Sequence, residues 1–292
     1  MSLEVLREDQ VGFYRDNGYV LLEERVPADV LQPVRDEIAR FVEEARGMTV
    51  SNERLDLEDS HRPEAPRVRR IKQPHRLSPV FDGLLRSEWI LAPVRDLIGP
   101  DLRLHSSKLN MKSAGYGAAV EWHQDWAFYP HTNDDILAVG VIIDDMGEEN
   151  GPLMVFPGSH KGPVYDHHAG GVFAGAMSLT ANGLDVADAV KLTGPAGSIS
   201  LHHVRAVHGS APNRSPRDRR MMFVEITAAD AFPLRGSMSS FESLEEYDSR
   251  LLCGTSTITP RLADVPVRIP QPQPATQGSI YEIQKALTAR SF

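Results

Sequence analysis

The chain has 292 residues, of which 31 are Lys or Arg and 40 are Asp or Glu, so its formal net charge is −9 at pH 7. Nucleic-acid-binding proteins usually carry a basic surface, and this balance therefore argues against a nucleic-acid partner. Hydrophobic residues make up 41% of the chain, which is typical of a soluble globular protein. The single cysteine, Cys253, excludes a disulfide framework and a cysteine-rich metal site, and it is compatible with a reducing compartment.

The sequence also lacks the usual signals of membrane and secreted proteins. The first ten residues, MSLEVLREDQ, are charged and contain no apolar run, so we expect no secretory signal. The longest apolar run covers residues 136–143, whereas a membrane-spanning helix needs about 20 apolar residues. We therefore expect a cytoplasmic protein without a membrane partner.

The first hundred residues carry helical patterns. Residues 6–17 predict a short helix that ends at Gly18, because glycine is common just after a helix C-terminus. Residues 19–22 predict a short strand. Apolar side chains recur at helical spacing over residues 28–46, and again over residues 88–98. These segments predict two longer helices.

Two segments show no clear pattern. Residues 48–80 are polar, contain four prolines and lack periodicity, which predicts a long functional or disordered loop. The tail, residues 264–292, has a Pro- and Gln-rich run followed by a short helical pattern. This tail is compatible with a lid over a site, with an arm that contacts a second copy, or with disorder.

The middle of the chain has a β pattern. Short apolar runs are separated by turn residues, and they predict strands over 102–104, 137–143, 153–156, 198–201 and 221–227. Helices precede strands instead of alternating with them, which predicts an α+β protein with an antiparallel double sheet. We expect one domain over residues 1–292, with a helical part to about 100, a β-core over about 101–230 and a C-terminal extension over about 231–292.

A candidate metal site lies in the β-core. His123 and Asp125 are two residues apart, and on a strand residues i and i+2 point to the same face. They provide two of the three ligands of the 2-His-1-carboxylate triad that binds non-haem Fe(II). The third ligand is expected within residues 201–219, where His208 is followed by Gly-Ser at the end of a short strand.

Ser210 and Arg219, which both follow His208 in the sequence, suit the binding of a dicarboxylate. Arg219 lies just before the strand predicted over 221–227. If this strand returns as a hairpin, Arg219 comes to lie beside His208. A guanidinium binds a carboxylate through two parallel hydrogen bonds, and Ser210 could donate another. Taken alone, Arg219 fits a surface charge at the start of a strand better.

Four segments carry a family resemblance. They are Phe13-Tyr-Arg-Asp-Asn-Gly-Tyr-Val-Leu-Leu22, His123-Gln-Asp125, Glu149-Asn-Gly-Pro-Leu-Met-Val-Phe-Pro-Gly-Ser-His-Lys-Gly162, and His208-Gly-Ser-Ala-Pro-Asn213 with Arg219 eleven residues after the histidine. In this order, over roughly residues 8–227, they resemble the phytanoyl-CoA dioxygenase family of Fe(II)/2-oxoglutarate-dependent oxygenases. The resemblance implies a double-stranded β-helix, or jelly roll, with flanking N-terminal helices.

The same resemblance implies the site residues and the reaction. It makes His123, Asp125 and His208 the Fe(II) ligands and makes Arg219, with Ser210 beside it, the contact for the distal carboxylate of 2-oxoglutarate. Gln124 and Lys72 become further candidates for the cosubstrate pocket. With O2, such an enzyme hydroxylates a small molecule and releases succinate and CO2. Related halogenases lack the carboxylate ligand, so Asp125 favours hydroxylation over halogenation, while desaturation, cyclisation and epimerisation stay open.

Other residues leave alternatives open. His202 and His203 are expected to pack behind the site, one facing inward and the other outward. Val141 stands where some family members have an aromatic residue, which would alter a wall of the pocket. A basic cluster in the predicted loop fits either a solvated surface or recognition of an anionic substrate; it comprises Arg67, Arg69, Arg70, Lys72 and Arg76.

Two other functions are compatible with a metal-binding jelly roll. The first is a cupin-like isomerase or hydrolase that uses another divalent metal without 2-oxoglutarate. The second is a non-catalytic module that binds 2-oxoglutarate. Arg219 argues against the first, because its spacing from His208 would have no explanation without a dicarboxylate. An intact ligand set argues against the second.

Overall fold

The computed structural model describes residues 3–235, 243–274, 280–284, 287 and 290–292. Within these residues the α-helices are α1 Glu8–Asn17, α2 Ala28–Glu44, α3 Pro74–Leu77, α4 Pro79–Leu85, α5 Glu88–Ile98, α6 Leu244–Asp248 and α7 Ile280–Gln284. The strands are β1 Tyr19–Leu22, β2 Leu55–Leu57, β3 Val68–Lys72, β4 Leu102–Lys112, β5 Val120–His123, β6 Ile136–Ile142, β7 Leu153–Val155, β8 His168–Ala169, β9 Val172–Phe173, β10 Val190–Leu192, β11 Ile199–His203, β12 His208–Ser210, β13 Arg219–Ala228 and β14 Leu251–Cys253. No helix in this part of the chain is long and apolar enough to cross a membrane.

Two antiparallel sheets form the centre of the fold. The larger sheet has the order β1-β11-β6-β13-β4-β3-β2, with β14 pairing with β4, and the smaller sheet has the order β10-β7-β12-β5. Side chains from both sheets form a shared apolar cluster, for example Ile142 and Met221 from the larger sheet and Leu153 and Val155 from the smaller one. The sheets therefore pack face to face, as the predicted α+β double-stranded β-helix requires.

The opposite face of the larger sheet packs on the N-terminal helices. Because side chains alternate along a strand, Met222, Val224 and Ile226 of β13 join this outer core while Met221 and Phe223 face the other sheet. Leu31 and Phe41 of α2 lie in the same outer core and are almost fully buried. Each such side chain contributes about 1.5–3 kcal/mol to folding, so packing on the helices stabilises the larger sheet.

The periodic segments fold as predicted. α1 ends at Asn17, and Gly18 takes a left-handed φ of 77° as its C-cap. α5 spans residues 88–98 and continues through Pro93.

The prediction of a long loop over residues 48–80 is wrong. This segment contains β2 and β3, which pair with each other and add to the edge of β4. The buried Leu55 and Ile71 hold them in the outer core. Strands this short have no detectable period, so the pairing partner, not the local sequence, determines them.

Candidate active site

The candidate metal ligands lie on two neighbouring strands of the smaller sheet. β12 pairs with β5 so that His208 lies directly opposite His123, and their ring centroids are 4.1 Å apart. β5 ends at His123, and Asp125 begins a short 3-10 turn over Asp125–Ala127. The same-face argument for a continuous strand is therefore wrong in detail, because the turn, not the pleat, brings the carboxylate to the histidines. Ligand atoms of all three residues lie within 4.8 Å of one another.

Backbone contacts orient both imidazoles. Nδ1 of His123 donates to the carbonyl of Glu121 at 2.8 Å, and Nδ1 of His208 donates to the carbonyl of Ala206 at 3.0 Å. A carbonyl can only accept, so these bonds place the proton on Nδ1 and leave Nε2 as the ligand atom. The Nε2 atoms lie 3.7 and 3.9 Å from the Asp125 carboxylate, too far apart for hydrogen bonds.

The electrostatics of the three groups favour their metal-binding forms. Burial lowers the pKa of His123 to about 4, and burial together with the neighbouring His123 and His202 lowers the pKa of His208 well below its usual value. Burial would raise the pKa of Asp125, but Lys108 and His208 outweigh it and keep this pKa well below the usual range. Both imidazoles are therefore neutral and the carboxylate is charged, as metal binding requires.

One end of the cavity beside these ligands is strongly cationic. Arg219 of β13 lies directly opposite Lys112 of β4 in the larger sheet, and both are almost fully buried. Nζ of Lys112 donates to the hydroxyl of Ser210 at 2.8 Å, and Arg219 donates to the carbonyl of Gly151. Burial, and then the charge of Arg219, lower the pKa of Lys112 well below its usual value. A carboxylate bound here would favour the charged form of Lys112 and offset its repulsion with Arg219.

The rest of the cavity is lined from the same strands and by His202. Lys108 and Asn110 share the inward face of β4 with Lys112, and Arg70 of β3 donates to the side chain of Asn110 at 3.1 Å. Lys108 forms a 2.7 Å ion pair with the buried Glu225. The cavity is narrow, with a free volume of about 40 Å³.

Two predicted cosubstrate contacts do not reach this cavity. The side-chain amide of Gln124 bonds the backbone of Pro163, Tyr165 and Arg205, so it fixes the loops behind the site. Lys72 points to the sheet edge, where its Nζ pairs with Asp56 at 2.7 Å. Arg70, two residues earlier on the same strand, lies in the cavity instead.

Val141 does not form a pocket wall either. It lies in the outer core with Met222 and Ile199, the residues opposite it on β13 and β11. Successive side chains of a strand point to opposite faces, so the residues directly before and after Val141 on β6 are the ones that face inward. The substitution of an aromatic residue by Val141 therefore affects packing against the helices and not the cavity.

Several lining residues were not among the predicted site residues. Lys108, Asn110 and Lys112 alternate with the apolar Leu109 and Met111, which is the period-two signal of a half-buried strand. The strand predicted over 102–104 could have been extended on this signal. By contrast, nothing local distinguishes the inward His202 from the adjacent His203.

The C-terminal tail packs against the strand that carries His123. Gln284 accepts from the amide of Glu121 at 3.0 Å and donates to the carbonyl of Gly175 at 2.8 Å. The ring of Phe292 stacks on Trp122 with centroids 5.5 Å apart. Ile280 lines the cavity. Of the three roles open for the tail, its described residues fit a lid; residues 275–279, 285–286 and 288–289 lie outside the described part.

Comparison with known proteins agrees with this site. The model of the phytanoyl-CoA dioxygenase family matches residues 14–221. The chain belongs to the phytanoyl-CoA dioxygenase family. The match includes the three candidate ligands and Arg219, and the resemblance inferred from four segments is confirmed.

Two relatives and one solved structure extend the comparison. The chain is 39% identical over 288 residues to the "Probable alpha-ketoglutarate-dependent hypophosphite dioxygenase" of Stutzerimonas stutzeri, covering 97% of this chain and 99% of that protein. It is 29% identical to the ectoine dioxygenase of Bordetella parapertussis, over 76% and 75% of the two chains. The crystal structure of EctD from S. alaskensis with 2-oxoglutarate and 5-hydroxyectoine covers 77% of each chain, with a TM-score of 0.63 and 24% identity, and supports the jelly-roll fold.

The site and the family together establish the type of enzyme. This family member is a non-haem Fe(II)/2-oxoglutarate-dependent dioxygenase acting on a small molecule. The donor set fits the metal, because two neutral imidazole nitrogens and one carboxylate on one side leave positions for other ligands. When bound, Fe(II) with 2-oxoglutarate and O2 supplies the oxidising power for hydroxylation, with release of succinate and CO2. These findings favour this enzyme over the isomerase, the hydrolase and the non-catalytic module.

Proposed function

We propose that the chain hydroxylates a small oxyanion, and specifically that it oxidises hypophosphite to phosphite. The observation that carries the proposal is the set of four cationic side chains that line the cavity beside the candidate ligands, which are Arg70, Lys108, Lys112 and Arg219. Cationic groups beyond those assigned to 2-oxoglutarate favour an anionic substrate. The 39% identity over nearly the full length of the hypophosphite dioxygenase relative supports the same substrate.

The proposed reaction balances as a hydroxylation. One P–H bond of hypophosphite becomes P–OH, and the product loses a proton to give phosphite. One oxygen atom of O2 enters phosphite and the other enters succinate, while 2-oxoglutarate loses CO2. The two electrons from the P–H bond and the two from the oxidative decarboxylation account for the four-electron reduction of O2.

Each part of the site has a role in this reaction. His123, Asp125 and His208 hold Fe(II) through their Nε2 and carboxylate atoms. Arg219, with Ser210 beside it, holds the distal carboxylate of 2-oxoglutarate by charge-assisted hydrogen bonds. Lys112 adds positive charge at this end, and Ile280 limits the access of water.

A substrate comparison tests the proposal. The enzyme is incubated with Fe(II), 2-oxoglutarate and O2 together with hypophosphite, ectoine or L-proline, and succinate and phosphorus products are followed, the latter by 31P NMR. We expect phosphite and succinate in equal amounts with hypophosphite, and neither above background in Asp125→Ala. Turnover of ectoine or proline without any phosphite from hypophosphite would overturn the proposal.

We also propose that the chain is one oxygenase domain that acts in the cytoplasm without a nucleic-acid partner. The N-terminal helices and the larger sheet share one apolar core, which supports a single domain over the helical part and the β-core. The single cysteine fits a reducing compartment, and the net charge of −9 disfavours nucleic acid.

A further inference from the structure

His202 lies in the cavity next to the candidate metal ligands. It is on β11, 1% exposed, and its ring centroid is 4.5 Å from that of His208. Its Nε2 is 3.7 Å from the Asp125 carboxylate, which is too long for a hydrogen bond. Among the described residues, neither ring nitrogen has a hydrogen-bond partner.

This environment is unusual for a structural histidine. Buried polar side chains are nearly always hydrogen-bonded, so a buried imidazole that lines a cavity and has two unsatisfied nitrogens points to a ligand. The adjacent His203 is the contrast, because its Nδ1 accepts from the amide of Arg205 at 3.1 Å. His202 is also outside the group of side chains that can hold one metal ion together.

The cavity has two chemically different ends. Arg219, Lys112 and Ser210 form the first end, which suits the distal carboxylate of 2-oxoglutarate. Lys108 is four residues before Lys112 on the same face of β4, so its Cα lies about 13 Å away along the strand. At this second end the charge of Lys108 is paired with Glu225, and the ring of Phe223 lies opposite on β13.

We propose that His202 is the specificity-determining residue for the oxyanion substrate. It donates a ring N–H to one substrate oxygen beside Asp125, at the end of the cavity opposite Arg219. This inference rests on the proposed function and adds the residue that binds its substrate. An oxyanion transferred from water into a buried site needs such a donor, since an apolar side chain would leave its oxygen unsatisfied.

Anaerobic calorimetry tests the inference without turnover. Enzyme loaded with Fe(II) and 2-oxoglutarate is titrated with hypophosphite, phosphite, formate and acetate in the wild type, His202→Phe and His202→Gln. We expect His202→Phe to weaken the binding of the preferred anion about 10- to 100-fold, the loss for a hydrogen bond to a charged group. His202→Gln keeps an N–H donor and should restore part of the affinity. His203→Phe, a change at the neighbouring half-buried histidine, should leave the anion Kd unchanged.

Each outcome separates this inference from the proposed function. If the wild type prefers another oxyanion and His202→Phe loses affinity for that oxyanion, the inference holds while the assignment of hypophosphite fails. If the wild type binds and oxidises hypophosphite and His202→Phe has the same Kd, the inference fails while the function stands. If the wild type binds no oxyanion, both fail. Separate anaerobic titrations of the metal-free proteins with Fe(II) and then 2-oxoglutarate complete the test. If His202→Phe chiefly weakens the binding of Fe(II) or 2-oxoglutarate there, His202 positions Asp125 and the inference is overturned.

Discussion

At the scale of single residues, strand register forces two cations together. Arg219 and Lys112 are paired across β13 and β4, and the side-chain alternation of both strands points them to the same face. Burial deprives both of water, and the pKa of Lys112 falls accordingly. Two basic groups at one end of the cavity attract an anion, so their presence favours a carboxylate ligand there independently of any family resemblance.

Substitution of Arg219 tests this end of the cavity. Arg219→Ala should raise the 2-oxoglutarate concentration needed for half-maximal succinate formation by about 10- to 100-fold, because a charge-assisted contact is lost. Arg219→Lys keeps the charge but not the planar fork, and it should be intermediate. An unchanged saturation curve in Arg219→Ala would mean that the cosubstrate binds elsewhere.

At the scale of elements, the metal site is built where β5 ends and the C-terminal tail docks. The helices α1, α2 and α5 could be predicted because their apolar period is local. The strands β2 and β3 could not, because their pairing with β4 determines them. The turn at Asp125 was not predictable either, since His-Gln-Asp fits a continuous strand equally well. The contact of Gln284 with β5 joins residues 163 positions apart, and no local signal reports it.

Gln284 tests whether the tail protects the site. Gln284→Ala removes its hydrogen bonds to Glu121 and Gly175, each worth about 0.5–1.5 kcal/mol. We expect more 2-oxoglutarate consumed per product formed, because water reaches the cavity more easily. The measurement is the ratio of succinate to oxidised substrate.

Gln273→Ala is the matched control for this variant. Gln273 is also a tail glutamine, but its amide bonds only the nearby carbonyl of Pro270 among its described contacts. It should keep the wild-type ratio. An equal ratio in all three proteins would contradict a protective role for the tail.

At the scale of the whole molecule, buried and half-buried histidines link stability to pH. Burial lowers the pKa of His75, His105 and His131 to about 4, from 6.5 when unfolded. Between pH 6.5 and 4 the unfolded chain therefore binds more protons than the folded chain, so acid favours unfolding. Burial raises the pKa of Glu58 and Asp135, which act in the opposite direction.

Denaturation of the metal-free protein tests this linkage. The contribution of these histidines to the free energy of unfolding should be complete above pH 6.5. It should fall as the pH decreases towards 4, by up to about 1.4 kcal/mol per pH unit for each of the three histidines. Urea midpoints at pH 7, 6, 5 and 4.5 provide the measurement. In His131→Phe, the urea midpoint should depend less steeply on pH. A midpoint that rises as the pH falls would contradict the assignment.

The central claim is that His123, Asp125 and His208 bind Fe(II) together with 2-oxoglutarate, and anaerobic visible spectroscopy tests it most directly. Metal-free protein is titrated first with Fe(II) and then with 2-oxoglutarate. The account predicts a weak metal-to-ligand charge-transfer band that requires both components and is absent in Asp125→Ala. No band in the wild type, together with tight zinc binding at the same three residues, would contradict it.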